Sequence, residues 1–269
     1  EISLGLVGSE MCIRDRHFGA VDQSCTVYIN GLRAYRHNGG YLPFEFDATG
    51  FLSKDVNELS LSVRDVSDTS YHSRGKQKLK RGGIWYTPQS GIWQTVWAEC
   101  IPKDCVRSLH ITSDFDHACV NVRADVVGES KAYALFDGQQ YPLPASIPVP
   151  GFEPWSPENP KLYDFSVICG ADRVESYFAM RKFSVEADEN GVKRLFLNGK
   201  PYFHNGLLDQ GYWSDGMYTA PSDEALIFDI QTAKDMGFNM LRKHIKIEPL
   251  RWYYHCDRLG ICLLYTSPS

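Results

Sequence analysis

Between positions 209 and 218 the sequence gathers groups suited to holding a sugar: Asp209, Gln210, Tyr212, Trp213, Asp215 and Tyr218, spaced by Gly211 and Gly216. Aromatic faces stack on the C–H surfaces of a pyranose, while carboxylates and amides read its hydroxyls. Tyr212, Trp213 and Asp215 offer both. The same residue types also pack a loop against a neighbouring domain, and the sequence leaves the two roles open. Trp85 and Tyr86, between Gly83 and Pro88, form a second aromatic pair, suited to packing at a domain junction or to lining the same pocket. Glu248, Asp209 and Asp215 are carboxylates near the ends of candidate strands, and none of the three is assigned a catalytic role.

The elements that must position these groups change character along the chain. From Val21 to Glu99 apolar residues recur at every second position, as in Cys25, Val27 and Ile29, up to the hairpin signal Asn30-Gly31. Leu59, Leu61 and Val63, then Ile92 and Val96, continue the pattern. Short alternating strands of this kind imply an antiparallel sandwich or jelly roll. A second all-β stretch begins near Pro102, with Leu109 and Ile111, Val120 and Val122, Tyr133 to Phe136, Leu162 to Ile168 and Val174 to Phe183 as candidate strands. Six or seven short strands there fit an immunoglobulin-like sandwich. The tract from Pro142 to Pro160 is dense in proline and ends in the compact run Trp155 to Tyr163.

After Gly191 the period becomes helical. A hydrophobic strand around Phe196 to His204 is expected to lead into the aromatic loop. Ser222 caps a helix that opens with Asp223 and Glu224, has the stripe Leu226, Ile230 and Ala233, and stops at Gly237. A second strand ends at Arg242. The next helix starts at Pro249, carries Trp252, Cys256 and Leu259, and stops at Gly260. Two helices, each preceded by an apolar strand, make a parallel α/β unit the natural assignment.

Composition narrows the classes. The chain has 269 residues, 43% of them hydrophobic, and a formal net charge of -5. That balance argues against a nucleic-acid binder. The basic group Arg74, Lys76, Lys78, Lys80 and Arg81 is read as a solvated loop. No run of about 18 apolar residues would span a membrane as a helix. The eight cysteines include no Cys-x-x-Cys pair, so free thiols in a reducing, cytoplasmic setting are expected rather than a metal site, and no cofactor is implied. Residues 8–16 and 262–269 resemble translated sequencing-adaptor sequence. Segments 1–16 and 262–269 are therefore set apart, leaving a native part from about His17 to Ile261.

Taken in order, several runs resemble glycoside hydrolase family 2. Tyr28-Ile29-Asn30-Gly31, Gly40-Tyr41-Leu42-Pro43-Phe44, Phe46-Asp47-Ala48-Thr49 and Asn57-Glu58-Leu59 look like that family's sugar-binding jelly roll, and Ser90 to Trp97 is similar to the run that closes it. Trp155-Ser156-Pro157-Glu158-Asn159-Pro160-Lys161-Leu162-Tyr163 matches the signature of its immunoglobulin-like domain. Met180 to Phe183, Leu197 to Pro201 and Gly237 to Arg242 resemble its passage into the barrel. The resemblance implies a multidomain β then α/β chain: a jelly-roll β-sandwich at 17–100, an immunoglobulin-like β-sandwich at 101–186, and the first βα units of a (β/α)8 TIM barrel at 187–261.

It also implies retaining hydrolysis of a β-linked glycoside by two glutamates about 5 Å apart. Those glutamates come from later barrel strands, and no residue here matches either motif. The chain is thus expected to be an inactive amino-terminal fragment of such an enzyme, with a carbohydrate as its partner. Arg242 stands where the family places an arginine at the end of the second strand, facing the sugar subsite; pairing with a barrel carboxylate is the structural alternative. His244 departs from the spacing of β-galactosidases, where the histidine sits one position later. The substrate-binding candidates are then Arg242, His244, Asp209, Tyr212, Trp213, Asp215 and Trp85. A non-catalytic carbohydrate-binding sandwich is the alternative, and a structural two-sandwich protein a third.

Overall fold

The structure, a computed structural model, describes residues 2–3, 12–53 and 56–266. Its first sandwich pairs the strands Glu58–Arg64, Ser24–Ile29 and Leu32–Asn38 in one sheet and Phe44–Asp47, Cys12–Phe18 and Val96–Pro102 in another. Alternate residues point inward: Cys25, Val27 and Ile29 are buried together with Phe18, Phe44, Phe46 and Leu59. This is the period-two pattern turned into a core.

The second sandwich packs a three-stranded sheet, Cys105–Asp114, Cys119–Val127 and Ala145–Pro148, on a four-stranded one, Gln139–Pro142, Ala132–Phe136, Tyr163–Cys169 and Asp172–Phe178. Val120, Val122, Ala134, Ile147, Phe165, Val167 and Met180 fill the space between. Two of these strands, Gln139–Pro142 and Ala145–Pro148, lie in or beside the proline-dense tract, where the sequence suggested none. Both are edge strands, where a missing amide hydrogen breaks no ladder.

Trp155 explains the tryptophan-proline run. Its ring is fully buried, Arg181 lies 4.6 Å over it, and its indole nitrogen donates to the Asp257 carbonyl at 2.7 Å. The Asp257 carboxylate accepts from Arg181 at 2.6 Å and from Tyr177 at 3.1 Å. The motif therefore docks the second sandwich on the following α/β segment.

That segment begins later than its sequence suggests. Phe183–Ala187, Lys193–Leu197 and Lys200–Pro201 form an antiparallel sheet, because Asn198 and Gly199, at φ 54° and 76°, make the turn that a two-residue hairpin needs. The first parallel strand is instead β1 (Gly206–Asp209). It is followed by α1 (Asp223–Asp235), β2 (Met240–His244), α2 (Leu250–Leu259) and β3 (Cys262–Thr266). The parallel order is β1-β2-β3. Ser222 caps α1 through Ala225 at 3.2 Å, and Leu226, Ile230 and Ala233 pack with Leu241, Trp252 and Cys256. The sheet thus carries its helices on the face of Leu241. The opposite face, with Leu208 and Leu264, is exposed.

Both segments set apart in the sequence enter these sheets. Residues 12–16 belong to the central strand of their sheet, paired on both sides, and residues 262–266 form β3. Leaving them out of the fold omits a strand in each place, since backbone pairing accepts any residue able to alternate.

Candidate functional site

The candidate residues divide between the two faces of the parallel sheet. In the β1-β2 register Leu208 pairs with Arg242 and Asp209 with Lys243. Because side chains alternate along a strand, Arg242 and His244 point to the open face and Asp209 to the helix face. Arg242 is exposed and, among the described residues, has no hydrogen-bond or ion-pair partner. His244 is half-buried with an unpartnered Nδ1. Burial, then the charges of Lys76 and Arg242, hold its imidazole below the ordinary histidine range. β2 also runs two residues beyond Arg242, the expected end.

On the helix face the charges are paired, and Lys243, Lys246 and Glu248 are buried. Lys243 Nζ bonds Asp209 and Glu248, each at 2.7 Å, and lies 4.3 Å over the Trp252 ring. Lys246 Nζ bonds Glu248 at 3.0 Å. Burial opposes both ammonium groups, but with different outcomes. For Lys243 the attraction of Glu248 and Asp209 outweighs it and raises the pKa. Lys246 has less compensation and is repelled by Lys243, so it falls to about 8.

The aromatic loop is folded over this network. Trp213 and Met217 exchange backbone bonds at 2.6 and 3.1 Å. Tyr212 stacks on Tyr86, with centroids 4.1 Å apart, and donates its hydroxyl to the Thr87 carbonyl. Tyr86, Tyr212, Trp213, Gln210, Asp209 and Asp229 line a cleft of about 440 Å³ along β1. Burial, then Asp209, pushes the Asp229 carboxyl above its usual range. Asp215 is exposed and accepts from the Gly216 amide at 3.0 Å. Trp85 stands outside the cleft with Lys78 4.0 Å over its ring.

In the basic group around Trp85, Lys80 and Arg81 are exposed and Arg74, Lys76 and Lys78 are half-buried. Besides Lys78, Arg74 bonds the Ser70 carbonyl at 3.0 Å and Arg81 bonds Thr87 at 3.2 Å. Lys243 and Lys246 were not singled out in the sequence. The signal available was a lysine on the apolar face of a strand, two positions from buried Leu241, followed by a lysine-x-glutamate run.

This chain is 28% identical to a β-galactosidase of Psychromonas ingrahamii over 280 residues, which cover 91% of this chain and 26% of the relative. It is 27% identical to a putative β-glucuronidase of Formosa agariphila over 279 residues, covering 94% of this chain and 32% of the relative. The chain is a relative of β-galactosidases and β-glucuronidases. It spans about a quarter to a third of the length of these two curated relatives. No family model matches it. Among solved structures, a Faecalibacterium prausnitzii β-glucuronidase superposes with a TM-score of 0.81 at 19% identity, covering 99% of this chain and 50% of that one. At that identity the likeness concerns the fold, and the mostly β architecture agrees with it.

Cys25, Cys105, Cys119, Cys169, Cys256 and Cys262 are free thiols. No described helix is long and apolar enough to cross a membrane.

Proposed function

We propose that this chain is the amino-terminal part of a retaining β-glycosidase, consisting of a jelly roll, an immunoglobulin-like sandwich and the first strands of a TIM barrel, and working in the cytoplasm. The observation that carries the reading is Arg242, unpaired on the open face of the parallel sheet beside His244, in a chain related to glycosidases along nine tenths of its length. Active sites of (β/α)8 enzymes lie at the carboxy-terminal ends of the strands, and β2 carries His244 at that end and Arg242 two residues before it. There a guanidinium, with its rigid fork of donors, bonds sugar hydroxyls or fixes a catalytic carboxylate. Two glutamates on later strands supply the proton to the leaving oxygen and the covalent glycosyl intermediate.

Asp209 and Glu248 are not that pair. They share the Lys243 ammonium, 2.7 Å from each, but Glu248 is buried and held by two lysines. In the longer enzyme that carries this segment, Arg242→Ala should lower kcat/KM at least about tenfold, or about 1.4 kcal/mol of transition-state stabilisation, with the fold unchanged. Undiminished activity removes the role given to Arg242.

A further inference from the structure

We propose that Lys246 is a positioning residue that closes the base of the aromatic loop and so sets the Tyr86–Tyr212 platform at the edge of the cleft. The proposal rests on the carbohydrate reading of that loop. Lys246 Nζ donates to the carbonyls of Gly211 at 2.5 Å and Tyr218 at 2.9 Å, and forms an ion pair with Glu248 at 3.0 Å. Two hydrogens on Nζ therefore go to loop carbonyls, a number that the neutral amine also supplies. The two carbonyls flank residues 212–217 on either side, and one side chain therefore holds both ends of the loop.

The surroundings leave the amine little freedom. Lys246 is 1% exposed, and its Nζ lies 5.4 Å from the ring centre of Trp93, a residue of the first sandwich, and 4.9 Å from that of Tyr218. Gly211 has φ +57°, and a Cβ there would run into the Glu248 carboxylate and both lysine amines. Loop backbone and charge network thus fit at van der Waals contact. Tyr218 in turn bonds Tyr41 at 3.1 Å, tying the far end of the loop to the first sandwich. From this one anchor Tyr212 reaches Tyr86.

The clamp has a pH signature of determined sign. With the loop closed, Lys246 titrates at about 8; released into water it would titrate near 10.4. The closed state binds fewer protons in that interval, so rising pH favours closure. The groups facing the network are Glu248, Lys243 and Asp209, then Asp229 of α1, Tyr253 and Cys256 of α2, Tyr218 of the loop, and Tyr41 and Asp22 of the first sandwich. Asp22 is raised to about 7, and a window from pH 7.5 to 9.5 stays above it. Lys243 and the tyrosines are shifted upward, away from the window.

Hydrogen exchange of the whole chain, corrected for the intrinsic rate at each pH, reads the clamp without any sugar. Amides of residues 211–218 should gain at least about tenfold in protection from pH 7.5 to 9.5. In Lys246→Met they should lose at least tenfold at pH 7.5 and show no gain with pH, while amides of the second sandwich keep theirs. Flat or falling protection in the unmodified chain, or an unchanged loop in Lys246→Met, overturns the proposal. Should that variant fail to fold, the pH profile of the unmodified chain decides alone. Failure of the carbohydrate reading would appear instead in the Arg242→Ala kinetics, so the two outcomes stay separate.

Discussion

Tyr212 lies flat on Tyr86, their ring centroids 4.1 Å apart and their planes 10° from parallel. One ring belongs to the loop after β1 and the other to the loop that closes the first sandwich. The contact thus joins segments far apart in sequence, and it gives the aromatic loop a packing role without removing Tyr212 from the cleft wall. A double-mutant cycle with Tyr86→Ala and Tyr212→Ala, read by chemical denaturation, should show a coupling of about 0.5–1.5 kcal/mol, as expected of a stacked pair. Additive losses would mean that the rings merely neighbour each other.

Glu248 holds two buried ammonium groups, Lys243 at 2.7 Å and Lys246 at 3.0 Å. Removing one partner of a buried ion pair leaves a charge without compensation, which costs about 3–5 kcal/mol. Glu248→Ala should therefore destabilise the α/β segment by that order, measured as a fall in the denaturation midpoint. Adding Lys246→Met to the same chain should recover part of the loss. A neutral effect of Glu248→Ala would contradict the network.

Asp22 is 4% exposed, and burial, then the charge of Asp65, raises its pKa from 3.8 to about 7. The folded state therefore keeps a proton that the unfolded chain releases. Its contribution to stability is fully present below pH 3.8 and is lost as pH rises through about 7. Asp22→Asn should stabilise the chain at pH 8, by up to about 4 kcal/mol for a shift of roughly three units, and have little effect near pH 4. Melting curves at the two pH values test this; equal effects at both would place Asp22 outside the account.

Much of the fold could be read from residue order. Cys25, Val27 and Ile29 announced their strand by alternation, and Ser222 with Leu226, Ile230 and Ala233 announced α1 by cap and stripe. Phe196 to His204 misled because its apolar residues precede and follow the Asn198-Gly199 turn, so a hairpin looked like one strand. Strands 139–142 and 145–148 were hidden by prolines that edge positions tolerate.

The site was only half legible. Arg242 and Tyr212 could be named from type and place. That Asp209 and Arg242 point to opposite faces follows from a parallel register that no local pattern encodes. Lys243 and Lys246 are buried because carboxylates from β1 and from the turn after β2 meet them in space, and such pairings are set by tertiary contact.

The central claim is that the chemistry of the parent glycosidase resides in carboxylates other than those of this chain. Purified chain incubated with nitrophenyl β-galactoside, β-glucuronide, β-mannoside and β-glucoside tests it most directly. The account predicts no nitrophenol release above background, because Glu248 is locked between two lysines and Asp209 is bound to one of them. Release that disappears in Glu248→Gln or Asp209→Asn would contradict it.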